Sequence, residues 1–441
     1  MKLHSETYDS YKNTEGEWSE TIPSEWQEKR VKDLFKLVTD AAPADNDYEL
    51  LSLYAGIGVK PRKDLEARGN KASSTDGYWI VRKNDIVVNK LLAWMGSVGL
   101  SEYDGVTSPA YDVLRQVSKD IDPRYFAYLF RTEIAKKIFR KNSRGIMDMR
   151  LRLYFDKLGA LTVPVPSFIE QKAIADYIEI NFQYLDEKTR LLERKKALYK
   201  KLRQSVIDDA VFNGIDKRPM VGLDSAWVSE LPDGWKIKRI KEVGNINQKS
   251  LPSNTSEDYE FEYLDIGGVT FGSQLYETER LTFGNSPSRA RRMVSRGDTI
   301  VSTVRTYLKA ITSFTEDVEN LIVSTGFAVI TPKKILADQY CAYYLSSTKV
   351  VNEICALSKG VSYPAISSTT LGDVFFLVPP KNVQHEIVNY LNTKTQTLDN
   401  LIAKIDIQLS KLSELRLAIV NDAVLGKIKV ADRISKKEEA A

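Results

Sequence analysis

Two stretches of this chain place an apolar residue at every seventh position. The first stripe is Ile178, Leu185, Leu192, Tyr199 and Val206. The second is Leu391, Leu398, Ile405, Leu412 and Ile419. Ile174 and Ile387 precede the starts by four residues and occupy the other seam position of a heptad. The remaining seam positions are mixed: Asn181, Lys188 and Lys195 in one stretch, Lys394, Leu401 and Gln408 in the other. Neither stretch holds Pro or Gly before Gly214 and Gly426. An unbroken period of seven predicts two long coiled-coil helices, with polar seam positions fixing register and partner. Each helix alone exposes its stripe, so the simplest partner is the other helix, packed antiparallel in the same chain.

Upstream of each stripe the pattern changes. The runs "ALTVPVP" and "VFFLVPP" read as strands stopped by Pro164 and Pro166 and by Pro379 and Pro380, just before the helices begin. "GYWIVRKNDIVVNKLL" and "RRMVSRGDTIVSTV" read as strand, turn, strand, with Asn84-Asp85 and Gly297-Asp298 at the turns. "PRYFAYLFRTEIAKKIFRK" and "DQYCAYYLSSTKVVNEICAL" each predict a helix.

These parallels come from an internal repeat. At an offset of 213, Gln171 falls on Gln384, Ile174 on Ile387, Tyr177 on Tyr390, Leu185-Asp186 on Leu398-Asp399 and Leu202-Arg203 on Leu415-Arg416. The register continues without a gap through "DDAVF" (208–212) and "NDAVL" (421–425). At an offset of 209, "WSETIPSEWQEKRVKDL" meets "WVSELPDGWKIKRIKEV". Between these anchors similarity is weak, although "SRGI" (143–146) meets "SKGV" (358–361). Each copy is an entry motif, a variable mixed α and β body, and a helix. The expected segments are a first body at 1–165 with its entry motif at 18–34, a helix at 166–215, and a second body at 216–378 with its entry motif at 227–243. A second helix at 379–428 and a charged tail at 429–441 follow.

Composition narrows the function. The 441 residues suffice for two or three domains, and 43% hydrophobic with 28% charged is ordinary for a globular protein. No apolar run approaches the roughly 18 residues needed to span a bilayer, and the polar N-terminus does not read as a signal peptide, so the expected location is the cytoplasm. Cys341 and Cys355 fit a reducing compartment and lack companions at metal-ligand spacing. His4 and His385 are the only histidines, which argues against histidine catalysis. No phosphate loop or nucleophile elbow occurs. "YAGIGVK" lacks the helix and acidic residue of a dinucleotide site. Asp85 with Asn89-Lys90 lacks the second acid of a metal-nuclease triplet. The chain is expected to be non-catalytic and to bind no metal or cofactor of its own.

The bodies offer basic clusters in turn-rich segments. In the first body these are Lys60, Arg62, Lys63, Arg68 and Lys71, then Lys90 near Trp94, then Arg140, Lys141, Arg144, Arg150 and Arg152. In the second they are Arg289, Arg291, Arg292 and Arg296, then Arg305, Tyr307 and Lys309, then Lys359 and Tyr363. Arg and Lys on loops beside Asn, Ser and Tyr suit phosphate clamping and base-edge readout. The tract 188–203 carries eight basic residues and one acidic; it suits either a DNA backbone or the solvated outside of a coiled coil.

The ordered motifs in this duplicated chain resemble the specificity subunit of type I restriction–modification systems. The resemblance covers nearly the full length and rests on "NKLLAWMGSVGLSEYDGVTSPAYDVLR" (89–115), "SRGIMDMRLRL" (143–153) and "VPVPSFIEQKAIADYI" (163–178). The second copy departs from it, with "RTYLKA" in place of the Trp-Met-Gly segment. The fold it implies is α+β: two pseudo-symmetric mixed α/β target-recognition domains joined by two long helices packed as an antiparallel coiled coil. Each domain would read one part of a split, asymmetric site in double-stranded DNA, with the helices setting the spacing. Two methyltransferase (M) subunits would dock on the repeated segments and carry S-adenosylmethionine. Restriction/translocase (R) subunits would bring ATP and Mg. The rival readings are a two-lobed protein-interaction scaffold without DNA specificity and a standalone DNA-modifying enzyme.

Overall fold

The computed structural model describes residues 7–54, 57–64, 75–146, 150–216, 218–223, 227–269 and 276–430. Lys71, Arg68 and most of the expected tail, 431–441, lie outside the described residues. The chain divides into two compact units, Met1–Leu191 with Ile407–Ala441, and Leu192–Asp406. Each unit is therefore one body with part of each long helix, whereas the sequence segments kept every helix whole.

The long helices run Phe168–Asn213 and Lys381–Val424. Both end at a glycine in the left-handed region, Gly214 (φ +77°) and Gly426 (φ +69°), the usual helix stop for a residue without Cβ. Their packing is antiparallel: in the second unit Lys196 pairs with Asp406 and Arg203 with Asp399. The partner number falls by seven as the first rises by seven. In the first unit Asp186 pairs with Arg416, which also covers the Phe182 ring.

The seam is uneven. All five stripe residues of the second helix are buried, but in the first only Ile178 and Leu185 are, while Leu192, Tyr199 and Val206 are half-buried. Near its end the first helix buries Ile207, Ala210 and Val211 in the core of the second body.

The bodies are built alike. The first holds an antiparallel sheet in the order Phe35–Val38, Tyr111–Gln116, Ile86–Asn89, Val98–Leu100. The second holds Gly244–Ile246, Phe327–Pro332, Thr299–Ser302, Ile311–Ser313 in the same order. Trp79–Val81 and Ala290–Met293 are strands as expected, yet they pair in sheets different from the strands that follow their turns. The turns do adopt the predicted chemistry. Asn84 (φ +74°) and Gly297 (φ +89°) are left-handed, and Asp85 and Asp298 accept from the backbone N–H three residues earlier.

Each sequence-predicted body helix is instead a pair: Pro123–Leu129 with Glu133–Asn142, and Asp338–Leu345 with Thr348–Leu357. At the first break the Thr132 hydroxyl accepts from the Ala135 N–H; at the second Ser347 occupies the matching extended position, and Asp208 of the long helix accepts from the Thr348 N–H. One repeated glutamine ties each body to its helix. Gln171 Oε1 accepts from the Asp122 N–H while its amide donates to the Pro166 carbonyl; Gln384 makes the same bonds to Ala337 and Pro379. Among the described residues no helix is long and apolar enough to cross a membrane.

Candidate nucleic-acid interface

In each body two loops meet at one end of the central sheet. One follows the third strand of that sheet and contains a short 3-10 turn, Ala93–Met95 or Thr306–Leu308. The other follows the second helix of the pair. Equivalent backbone bonds join them: Leu153 N–H to the Lys90 carbonyl, and Ile366 N–H to the Thr303 carbonyl, both 2.9 Å. Each second loop is closed by a two-way bridge, Arg144 with Arg152 and Lys359 with Ala365. The distant segments "AWM" and "SRGI", and likewise "RTYLK" and "SKGVSYPAISS", are thus brought into single clusters by the fold.

In the second body this cluster carries Arg305, Tyr307, Lys309, Lys359 and Tyr363. The Arg305 guanidinium lies 4.5 Å from the Tyr363 ring centroid, and its backbone N–H donates to the Pro364 carbonyl at 2.8 Å. Arg305, Tyr307, Lys359 and Tyr363 are exposed, and Lys309 is half-buried. Arg305 and Lys309 both have φ +53°, a conformation that costs a residue with Cβ roughly 1–2 kcal/mol. Such outliers cluster at ligand-binding positions.

The first body's cluster is more internally paired. Lys90 donates to the Pro109 carbonyl at 2.6 Å and lies 3.3 Å from Asp112, whose carboxyl burial pushes above its usual range. Trp94 donates to the Leu91 carbonyl and is covered by Arg140, 5.0 Å from its ring. Arg144 pairs with Asp156 at 2.8 Å, and Arg150 and Arg152 are exposed.

Other predicted residues fall elsewhere. Lys60 is bound to Glu102 and the Tyr103 hydroxyl beside Arg124, Tyr128 and Arg131, and Lys63 to Glu49. Arg62 begins a 3-10 turn after the strand Gly58–Pro61. Arg289, Arg291 and Arg292 sit at a second sheet of the second body, on or beside the strand Ala290–Met293. Arg289 pairs with Asp265 and Tyr263, Arg291 lies over Phe283, and Arg292 donates to Ser250. Burial lowers the Arg292 pKa, and its Nε finds no hydrogen-bond partner among the described residues. Asp85 forms a two-bond ion pair with Arg115, at 2.9 and 2.7 Å. The basic tract 188–203 is partly committed within the scaffold, through Lys196 to Asp406, Arg203 to Asp399 and Arg190 to Glu187.

Sequence reasoning passed over the tips of the closed loops. Ile146 is 99% exposed and Val361 101% exposed. They stand at matching positions in "SRGI" and "SKGV", and that short match was the available signal. It also missed a cleft of about 740 Å³ in the first unit, where Tyr128, Arg131, Phe182 and Arg416 meet Ile57 and Leu417. Burial there lowers the basicity of Arg131, and the nearby Arg416 adds to the effect.

The chain thus repeats one α+β body that carries a two-loop cluster and is followed by a long helix. The model of the type I restriction modification DNA specificity domain matches residues 23–198 and 232–411, and the chain belongs to that family. It is 22% identical over 367 residues to the type I restriction enzyme EcoBI specificity subunit of Escherichia coli, covering 80% of this chain and 75% of that one. It is 21% identical over 428 residues to the EcoDI specificity subunit of the same species, covering 92% and 89%. A solved structure from work on complex assembly and conformational transition of the type I R-M system superposes with a TM-score of 0.69 at 19% identity. That superposition covers 92% of this chain and 99% of that one. The HsdS subunit from Thermoanaerobacter tengcongensis gives 0.52 at 19% identity, covering 92% and 98%. Membership of this family makes DNA sequence recognition within a type I system the role of the chain.

Proposed function

We propose that the two loop clusters read the two parts of a bipartite, asymmetric DNA site, and that the helix pair sets the spacing between them. The observation that carries this is the recurrence of one two-loop module, with equivalent backbone bonds, in bodies whose exposed loop residues differ. Different side chains on one frame suit two different half-sites. A helix of 46 residues is about 70 Å long at ~1.5 Å per residue, enough to span about 20 base pairs at ~3.4 Å each. The chain performs no chemistry itself. Methyltransferase subunits bring S-adenosylmethionine and draw out the adenine, and restriction/translocase subunits use ATP and Mg. The cleft rimmed by the exposed Leu417 and Ile57 supports docking of a methyltransferase subunit on the first unit, because it exposes apolar surface beside Arg131.

The test is binding by the chain with its methyltransferase subunits to duplexes selected from a randomised pool. A single bipartite sequence is expected, with affinity falling steeply as salt rises. Arg305→Ala is expected to relax preference in one half only. Sequence-independent binding would overturn this reading and favour the scaffold alternative.

A further inference from the structure

The tips of the closed loops pose a problem that the basic residues do not. Ile146 and Val361 are β-branched aliphatic side chains turned wholly to solvent, 99% and 101% exposed. Lone exposed apolar residues are common, but these two occupy matching positions, each after a Ser-basic-Gly run, in bodies that differ in the residues packed around them. The neighbours have changed: Trp94 stands where the second copy has Tyr307, Gly96 where it has Lys309, and Arg152 where it has Ala365.

The support beneath the tips has not changed. Ser143 and Ser358 each donate a hydroxyl back to the preceding helix, to Phe139 and Ile354 at 2.7 and 2.8 Å. The two-way backbone bridge closes each loop four N–H···O bonds in all, each 2.9 Å. Gly145 (φ +152°) and Gly360 (φ +112°) precede the tips. At Gly145 a Cβ would lie 2.5 Å from the Arg150 carbonyl oxygen, so the turn into the tip admits no side chain. Each anchored turn thus presents a side chain whose branching at Cβ restricts χ1. Arg144 and the exposed Arg150 flank one tip, and Lys359, with Arg305 stacked on Tyr363, flanks the other. The surroundings therefore match a polyanion, and the tip matches an apolar space within it.

We propose that Ile146 and Val361 are paired DNA wedges. Each inserts between adjacent base pairs of its own half-site and kinks the duplex there, as aliphatic side chains do in proteins that deform DNA. Their shared character, set among divergent neighbours, assigns them a sequence-independent task. The reading of base identity falls to the residues that differ. This proposal rests on the DNA-reading function proposed above.

The experiment measures the bend of a selected duplex, labelled at its two ends for energy transfer, with the full chain and its methyltransferase subunits bound. Ile146→Ala and Val361→Ala are each expected to remove about half of the wild-type bend and to weaken binding about tenfold. The double variant is expected to leave the DNA nearly straight. Thermal unfolding should be unchanged, because the side chains are fully exposed. Ile146→Leu should retain the bend. A bend that survives in the double variant, or a straight wild-type complex, overturns the wedge while leaving sequence reading intact. Absence of any sequence preference in wild-type binding overturns the underlying reading, and the wedge with it.

Discussion

Arg203 of the first long helix donates to Asp399 of the second at 2.8 Å, and the same two residue types meet in reverse as Asp186 and Arg416. Both members shift by 213 positions between the pairs, so one interaction has been inherited twice with donor and acceptor exchanging helices. In an antiparallel pair, each copy of the helix supplies the acid near its start and the base near its end.

The two pairs should respond separately to exchange. Arg203→Asp is expected to destabilise the second unit by about 1 kcal/mol, since Asp399 remains partly solvated. Adding Asp399→Arg should recover most of that loss. A double-mutant cycle read by denaturant unfolding checks this; no coupling between the substitutions would show that the contact contributes nothing.

The repeated glutamines should be costlier. Gln384→Ala leaves the Ala337 N–H and the Pro379 carbonyl without their partners in a buried position. A loss of about 2–3 kcal/mol follows from unpaired buried polar groups. Gln171→Ala should act similarly on the first unit, and limited proteolysis of each variant should report loosening in its own body.

A buried aspartate distinguishes the bodies by pH. Asp85 faces Arg115, whereas the matching Asp298 accepts from Thr331 and the Ser295 N–H, with Lys249 and Asp338 near enough to act on it in opposite senses. Burial holds the Asp298 carboxyl above its usual range, with the Thr331 bond opposing the shift. A raised folded pKa means that the folded state holds the proton more tightly. The stabilisation this gives is complete at low pH and is lost as pH rises through the raised value. Asp298→Asn should therefore gain stability relative to wild type as pH climbs past the ordinary carboxylate range. Asp85→Asn should cost about 2 kcal/mol at neutral pH, because Arg115 loses a two-bond ion pair and keeps only the longer contact to the exposed Asp40. Unfolding midpoints of both variants across pH decide the matter.

Lys309 should show opposed effects on folding and binding. It holds a left-handed conformation at the position where the first body has Gly96. Lys309→Gly is expected to raise stability by about 1 kcal/mol while weakening DNA binding and lowering the salt slope by about 1. A parallel gain in both would show that the strained lysine makes no contact to DNA.

The framework was legible because it is periodic and repeated. Heptads, the gap-free register and the glycine stops located both long helices, and Asn84-Asp85 and Gly297-Asp298 located their turns. The break within each body helix was harder to see: Thr132 caps its helix through its own hydroxyl, whereas after Ser347 the Thr348 N–H is taken by Asp208, a residue remote in sequence. Strand pairing was not legible either, since Trp79–Val81 and Ile86–Asn89 adjoin in sequence yet join different sheets. Among the loop candidates, composition identified cations but not their partners. Lys63 and Lys90 are engaged by Glu49 and Asp112, acids remote in sequence, whereas Arg305 meets Tyr363 only because two loops converge. The tips at Ile146 and Val361 carry no charge, so a search for basic residues passed over them.

The second long helix ends under the first body: the Tyr125 hydroxyl donates to the Val424 carbonyl and the Tyr11 hydroxyl to Gly426. The first unit is thus discontinuous in the chain, and the second is one uninterrupted stretch. On the ribosome, the order of completion is therefore inverted. The second unit has all its residues once Asp406 has emerged, but the first, although synthesised earlier, must wait for the final helical turns. Until then Trp26 and Tyr125 lack the closing segment that covers them, and the nascent N-terminal body is the part that chaperones should meet.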